Sequence, residues 1–335
     1  MNKTYYLAWW SHPMFMYFLY ICLVPTLSNS LVLRTINMAV SHIAKEFHYH
    51  VRSISLPCRT HSSLPKIEKV LKRMKTWEAS SQSQSEAIKE GLKGLVELYN
   101  CVEELVGCSL TQQALLRHEG KHVEKPLDMS VYLLDTCGSA RELLSLMKEH
   151  VLDLQSALRR KGVDSSVNDQ ICAYICFRKR ARKDITKRLK ALKTMENGFK
   201  LCSYPLLDLD HHLLMVINVL REISKITISF FKKLLLFMCA QKNIGGWSML
   251  TRIVSSNSVD KENKVINEMG KIDVALCSLN KGCKKIDAKE VQIVKRGLGE
   301  VEGSIRELEA GLDCLFRCMI QQRVSLLNLL TSRRF

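Results

Sequence analysis

The sequence has few of the residues that interrupt helices. Only 15 glycines and 6 prolines occur among 335 residues. Proline removes a backbone donor, and glycine costs about 1 kcal/mol relative to alanine inside a helix, so this composition favours long helices over short strands and turns. No alternating apolar and polar run of the kind found in half-buried strands competes with that interpretation.

Sequence signatures of common enzyme classes are also missing. Gly297, Gly299 and Gly303 lie in a helical pattern, at the wrong spacing for a loop that holds a dinucleotide. No nucleophile elbow and no convincing Ser/His/Asp order occurs. The sequence therefore predicts a protein that is not an enzyme, with no cofactor and no resident metal.

One motif points the other way. Residues 118–122, "HEGKH", match H-E-x-x-H, in which two histidines on one helix face bind zinc and the glutamate activates a water. However, Gly120 weakens the helix at the centre of the motif, and Pro126 follows soon afterwards. The favoured interpretation is a charged helix end, with no catalytic role for His118, Glu119 or His122.

Acidic residues are scarce relative to basic ones. The chain has 33 Asp and Glu against 50 Lys and Arg, a formal net charge of +17. Such an excess attracts anionic partners such as nucleic acid, an acidic membrane or an acidic protein face. The alternative is a set of amphipathic helices whose cations only solvate the outer surface.

The 13 cysteines show no dense spacing of a disulfide scaffold. Most occupy apolar positions of helical stretches, where we expect them to act as small core residues in a reducing compartment. Cys172 and Cys176 are four residues apart, as are Cys314 and Cys318, so each pair shares a helix face. A metal site would need ligands from another segment.

The N-terminal part of the sequence divides into two segments. Residues 1–37 are hydrophobic and fit a signal peptide, a weak membrane anchor, or an extension before a native start at Met38. The predicted location is cytoplasmic, with membrane association as the alternative. Residues 38–64 form a flexible signature segment, in which "RSISLP" suits phosphorylation at Ser53 and Ser55 and docking of Ser55 to a phosphopeptide-binding adaptor.

Residues 65–332 carry helical periodicity throughout, with a break near 243–262. The pattern predicts an all-α fold, an elongated bundle of long antiparallel amphipathic helices. The apolar stretch "ITISFFKKLLLFMCA" is interrupted by Lys232 and Lys233, which favours a core helix over a membrane span. The main predicted helices cover residues 65–80, 85–107, 127–162, 165–197, 209–241, 264–279 and 288–330.

The densest basic run, Arg178–Lys193, keeps an apolar stripe and therefore predicts an amphipathic helix with a cationic face. The favoured interpretation is a solvated helix face, and the alternatives are binding to anionic lipid, to nucleic acid or to an importin-type receptor. Nucleic acid is disfavoured, because Phe177 is the only aromatic residue beside the run. The residues predicted to contact an anionic surface are Arg178, Lys179, Arg180, Arg182, Lys183, Lys187 and Arg188.

The order of several blocks resembles a plant-specific family of BYPASS-type helical proteins. The blocks include "LLDTCGSARELLSLMKEHVLDLQSALRRKG", "AYICFRKRARKDITKRLKALKTMEN" and "GLDCLFRCMIQQRVSLLNLL", and the likeness runs from about Met38 to Leu330. The resemblance implies a helical interaction or regulatory protein of root and shoot development, whose protein partners are unidentified. It carries over no catalytic residue, and residues 1–37 depart from the family pattern.

Overall fold

The computed structural model describes residues 63–80, 84–117, 123–160, 165–200, 211–239, 267–281 and 288–331. These residues form eight α-helices and no strand, so the predicted all-α fold is confirmed for the described part of the chain. The elongated shape and the domain boundaries stay predictions. In chain order the helices are α1 Ser63–Ala79, α2 Ser85–Val106, α3 Ser109–Arg117, α4 Glu124–Arg160, α5 Ser165–Lys200, α6 His211–Cys239, α7 Glu268–Lys281 and α8 Ala288–Thr331.

The helix boundaries follow the sequence signals closely. α1 begins two residues before the predicted Pro65, which lies in the first turn, where the missing backbone donor costs nothing. α2 ends at Val106, and the backbone N–H of Gly107 donates to the carbonyl of Glu103. α5 to α8 begin and end within four residues of the predicted positions. The break near 243–262 lies outside the described residues.

Helix α6 lies at the centre of the bundle. It packs against α1, α2, α3, α4, α5 and α7. Its apolar residues are buried around most of its circumference, as expected for a helix that is enclosed by others. The prediction that "ITISFFKKLLLFMCA" belongs to a core helix is therefore confirmed for residues 226–239, the described part of that stretch. No helix in the described ranges is both long and apolar enough to cross a membrane.

Side-chain contacts between neighbouring helices show the relative direction of those helices. α4 and α5 are antiparallel, because Arg188 pairs with Asp135 while Phe177 stacks on His150. α4 and α8 are also antiparallel, with Lys148 paired to Glu309 nearer one end and Arg323 bound to Leu127 at the other.

Helices α2 and α8, by contrast, run parallel. Lys89 pairs with Glu307, and eleven residues further along both helices Cys318 lies beside Asn100. The sequence predicted antiparallel neighbours and did not anticipate this pair, because two helices so far apart in the chain carry no local signal of their relative direction.

Candidate functional site

A buried charged cluster joins α5, α6 and α7. Arg178 on α5 is 1% exposed, and its Nε and Nη2 each donate to a carboxylate oxygen of Asp273 on α7, at 2.9 Å. The Tyr174 hydroxyl donates to the same carboxylate at 3.0 Å, and Arg182 Nη2 donates to it at 2.5 Å. Two guanidinium groups and one hydroxyl therefore surround a single buried carboxylate.

The same cluster satisfies the C-terminal end of α6. The last carbonyls of a helix lack partners within the helix and need others. Arg178 Nη1 donates to the carbonyl of Met238 at 2.8 Å, and Arg182 Nε donates to that of Cys239 at 3.2 Å. Asn267 Nδ2 donates to the carbonyl of Phe237 at 2.8 Å. Three successive carbonyls are thus bound by side chains.

Asn267 also caps the helix that follows. Its Oδ1 accepts a hydrogen bond from the backbone N–H of Gly270 at 2.9 Å, in the first turn of α7. One amide therefore holds the end of α6 with its nitrogen and the start of α7 with its oxygen. The cluster and Asn267 together join the C-terminal end of α6 to the start of α7, and their role in the fold is structural.

Burial and charge act against each other on Arg178. Burial is the largest influence and by itself lowers the pKa of this guanidinium, but the Asp273 carboxylate and weaker contributions from Tyr174 and Cys239 together leave the pKa above its usual value. Burial likewise raises the pKa of Tyr174, and the Asp273 charge raises it further. The arginine stays cationic and the tyrosine stays neutral, so the cluster carries fixed charges.

The prediction that Arg178 contacts an anionic surface is wrong. The residue points into the bundle because it falls on the apolar stripe of α5, between Tyr174 and Ala181, which are both buried. Arg182 is partly buried and is held by Asp273, which withdraws it from the outer face as well. Arg188 is half-buried, 3.7 Å from Asp135.

The remaining predicted cations do lie on the surface. Lys179, Arg180, Lys183 and Lys187 are exposed, and Lys190, which the prediction omitted, is exposed on the same side of α5. None of the five makes an ion pair with another described residue. Asp184 is the one exposed carboxylate between 179 and 190. We call the five residues the cationic stripe.

Two cysteines continue the cationic stripe toward the start of α5. Cys172 and Cys176 are exposed, which contradicts the expectation that the cysteines of helical stretches act as core residues. Cys101, Cys137 and Cys239 do meet that expectation, since they are buried, and burial raises the pKa of Cys137 to about 12. The four-residue spacing places the two exposed thiols one turn apart on one face.

A groove of about 750 Å³ lies over the outward face of α2. α1 borders one side, where Lys66 lies 3.6 Å from Glu104, and α8 borders the other, where Glu307 lies 2.8 Å from Lys89. The Glu307 hydrogen bond is the main cause that raises the pKa of Lys89. Between these ion pairs the groove is lined by apolar or small residues and by exposed polar residues of α2: Leu92, Val96, Cys101, Ala310, Gly311 and Cys314 belong to the first group, and Lys93, Glu97 and Asn100 to the second.

Small residues on α8 line the groove where α8 packs against α2. Gly311 lies so close to Leu92 that an added Cβ would meet the leucine side chain, so the two helices approach closely there. Ala310 is exposed beside it, and Cys314 is half-buried one turn further on. The groove therefore combines apolar and small residues with charges of both signs, a combination that suits an amphipathic helix.

The other predicted sites lie outside the described residues. This holds for the phosphorylation sites Ser53 and Ser55 and for the H-E-x-x-H residues His118, Glu119 and His122. Among the residues that the structure describes, no group of three His, Cys, Asp or Glu side chains is placed to hold a metal ion.

The fold and the site define an all-helical protein with a structural ionic cluster inside it, a cationic stripe and a groove outside. Residues 91–329 match the model of the family described as Protein BPS1, and the chain belongs to this family. The resemblance to BYPASS-type proteins is thereby confirmed. No curated protein and no solved structure matches the chain.

Proposed function

We propose that the chain is a non-enzymatic interaction protein that acts in root and shoot development of plants. The family match over residues 91–329 carries this proposal, since membership in the BPS1 family suggests a role in plant development. The matched range includes most of α2 and α8, which form the floor and one side of the groove. The α8 side and most of the α2 residues of the groove fall within the matched range, whereas Lys66 and Lys89 lie before it.

The groove is the surface we assign to a protein partner. An amphipathic partner helix would place its apolar residues over Val96 and Ala310. Its charged residues would meet the lysines and glutamates of α1 and α2, Lys66, Lys93, Glu97 and Glu104 among them. The charges of both signs would fix the direction of the partner helix, because like charges placed opposite each other are repelled.

Filling the groove tests this function in plants that lack the chain. We expect Ala310→Trp to fail to restore root and shoot growth, because the exposed alanine borders the groove and an indole would occupy the space of the partner. The measurement is root length and leaf number in complemented lines with matched protein levels. Ser278→Trp, which places the same side chain on an exposed position of α7, should restore growth as the original chain does.

Either of two results would contradict the proposal. Normal roots and shoots in plants without the chain would exclude the developmental role. Full restoration by Ala310→Trp would exclude the groove as the working surface. Thermal unfolding of both purified variants should match that of the original chain, which separates loss of binding from loss of fold.

A second candidate function is binding to an anionic membrane surface, and the cationic stripe favours it. Each Lys or Arg near an acidic leaflet contributes about 1 kcal/mol. We expect Lys183→Gln with Lys187→Gln to weaken binding of the unmodified protein to phosphatidylserine vesicles roughly 30-fold. Co-sedimentation at low salt measures it.

Lys69→Gln with Lys72→Gln is the matched control. Both lysines are exposed on α1, so this double variant removes the same charge from a different helix. We expect its binding to phosphatidylserine vesicles to change by less than about threefold. Equal losses for the two double variants would mean that only net charge matters, and the stripe would then not be the binding surface.

A further inference from the structure

We propose that Cys172 and Cys176 are sites of reversible S-acylation by a long-chain fatty acid, and that the acyl chain and the cationic stripe together hold α5 on an anionic leaflet. The proposal rests on the membrane function given above as the second candidate. It adds a modification site, a chemical class of donor and a two-part mechanism of attachment.

Exposure separates these two cysteines from the others. Of the nine cysteines described, Cys172 and Cys176 are exposed, and the rest are buried or half-buried. Cys314 and Cys318 have the same four-residue spacing, but they are half-buried, and the Cys318 thiol lies 3.4 Å from Asn100 Oδ1. A modifying enzyme can reach the first pair from solvent and would have to enter between packed helices for the second.

The position on the helix supplies the second observation. The helical repeat places residues 172, 176, 179, 183, 187 and 190 along one side of α5, and all six are exposed. This row is about 27 Å long at 1.5 Å per residue. The thiols lie at one end and the cations along the remainder. Both parts can therefore touch the same flat surface at once.

The two signals need each other for physical reasons. A single acyl chain gives only marginal and reversible membrane binding, and stable attachment requires a second chain or a polybasic patch. Cysteines on amphipathic helices at a membrane are known targets of reversible acylation. The cations also attract the phosphate groups of the acyl donor, which brings its reactive end toward the thiols.

The covalent step is a transfer between thioesters. The cysteine Sγ attacks the carbonyl carbon of a long-chain acyl-coenzyme A, and a new carbon–sulfur bond forms. The bond from that carbon to the coenzyme A sulfur breaks, and the released thiol takes the proton that left the cysteine. Nothing is oxidised or reduced, and hydrolysis of the thioester reverses the modification.

Hydroxylamine-dependent mass tagging of the full chain from plant cells tests the proposal. Hydroxylamine cleaves thioesters, and a maleimide-polymer tag then marks each released thiol. We expect tagged protein for the original chain and none for Cys172→Ser with Cys176→Ser. Cys314→Ser with Cys318→Ser should be tagged like the original. The membrane-bound fraction should fall roughly tenfold in the first double variant only.

The outcomes distinguish the proposed acylation from the proposed binding to an anionic membrane surface. An untagged original chain, or tags that persist in Cys172→Ser with Cys176→Ser, would overturn the acylation. Tags at these positions together with no binding of unmodified protein to acidic vesicles would support acylation and refute the cationic stripe. Salt-sensitive binding to RNA with no hydroxylamine-sensitive fraction would overturn the membrane surface altogether.

Discussion

Asp273→Ala should lower the free energy of unfolding by about 3–5 kcal/mol, the typical cost of removing one partner of a buried ion pair. Arg178 would keep its charge at 1% exposure and retain the Met238 carbonyl as its described partner. Tyr174 and Arg182 would lose an acceptor as well. Urea unfolding of the full chain followed by circular dichroism measures the change.

Two further variants show whether charge is the cause. Asp184→Ala removes an exposed carboxylate from α5 and should change the free energy of unfolding by less than about 0.5 kcal/mol. Arg178→Met combined with Asp273→Leu removes the fully buried cation together with its carboxylate, and it should cost less than Asp273→Ala alone, because the one cation then left without Asp273 is Arg182, which is partly exposed. A loss below about 1 kcal/mol for Asp273→Ala would show that the cluster contributes little.

The cluster also determines where the loss should appear. Arg178 and Arg182 bind both Asp273 on α7 and the last carbonyls of α6, so Asp273→Ala should release the end of α6 and the start of α7 before the rest of the bundle. Amide exchange should accelerate most at residues 236–239 and 268–273, while α2 and α4 keep their protection. Uniform acceleration along the chain would instead mean that the cluster stabilises the whole bundle.

The sequence predicted the helices well because their signals are local. Apolar residues at three- and four-residue steps, Pro65 at an entry and Gly107 at an exit need no knowledge of the rest of the chain. The same periodicity could have shown that Arg178 is buried, since it lies four residues after Tyr174 and three before Ala181. The prediction placed Arg178 on the surface instead, because the residues around it are densely charged.

The sequence could not show which residue pairs with Arg178. Asp273 lies 95 residues from Arg178, and no local pattern links the two. The groove is non-local in the same way, since it exists because α1 and α8 stand on either side of α2. Cys172 and Cys176 are an intermediate case: their shared face was predictable, whereas their exposure depended on which side of α5 the other helices cover.

The contact between Gly91 and Trp77 is the second feature with a large expected effect. An added Cβ at Gly91 would meet the indole ring, with its Nε1 only 2.8 Å away. That ring is held on several sides: Nε1 donates to the Ala87 carbonyl at 2.6 Å, Lys233 lies 4.5 Å above the ring, and Phe230 packs at 6.0 Å. The ring cannot move aside without losing these contacts.

We therefore expect Gly91→Ala to destabilise the protein by about 2 kcal/mol, since overpacking against a fixed ring outweighs the roughly 1 kcal/mol that alanine adds in a helix. Gly138→Ala on α4 is the control, because nothing lies within 4 Å of its added Cβ. It should stabilise by about 0.5–1 kcal/mol.

Trp77→Leu should remove most of the penalty of Gly91→Ala, because the ring that the added Cβ meets is then absent. Urea unfolding of the three single variants and of Trp77→Leu with Gly91→Ala measures this coupling. If Gly91→Ala stabilised the chain as Gly138→Ala does, the indole would be free to shift, and the expected overpacking would be refuted.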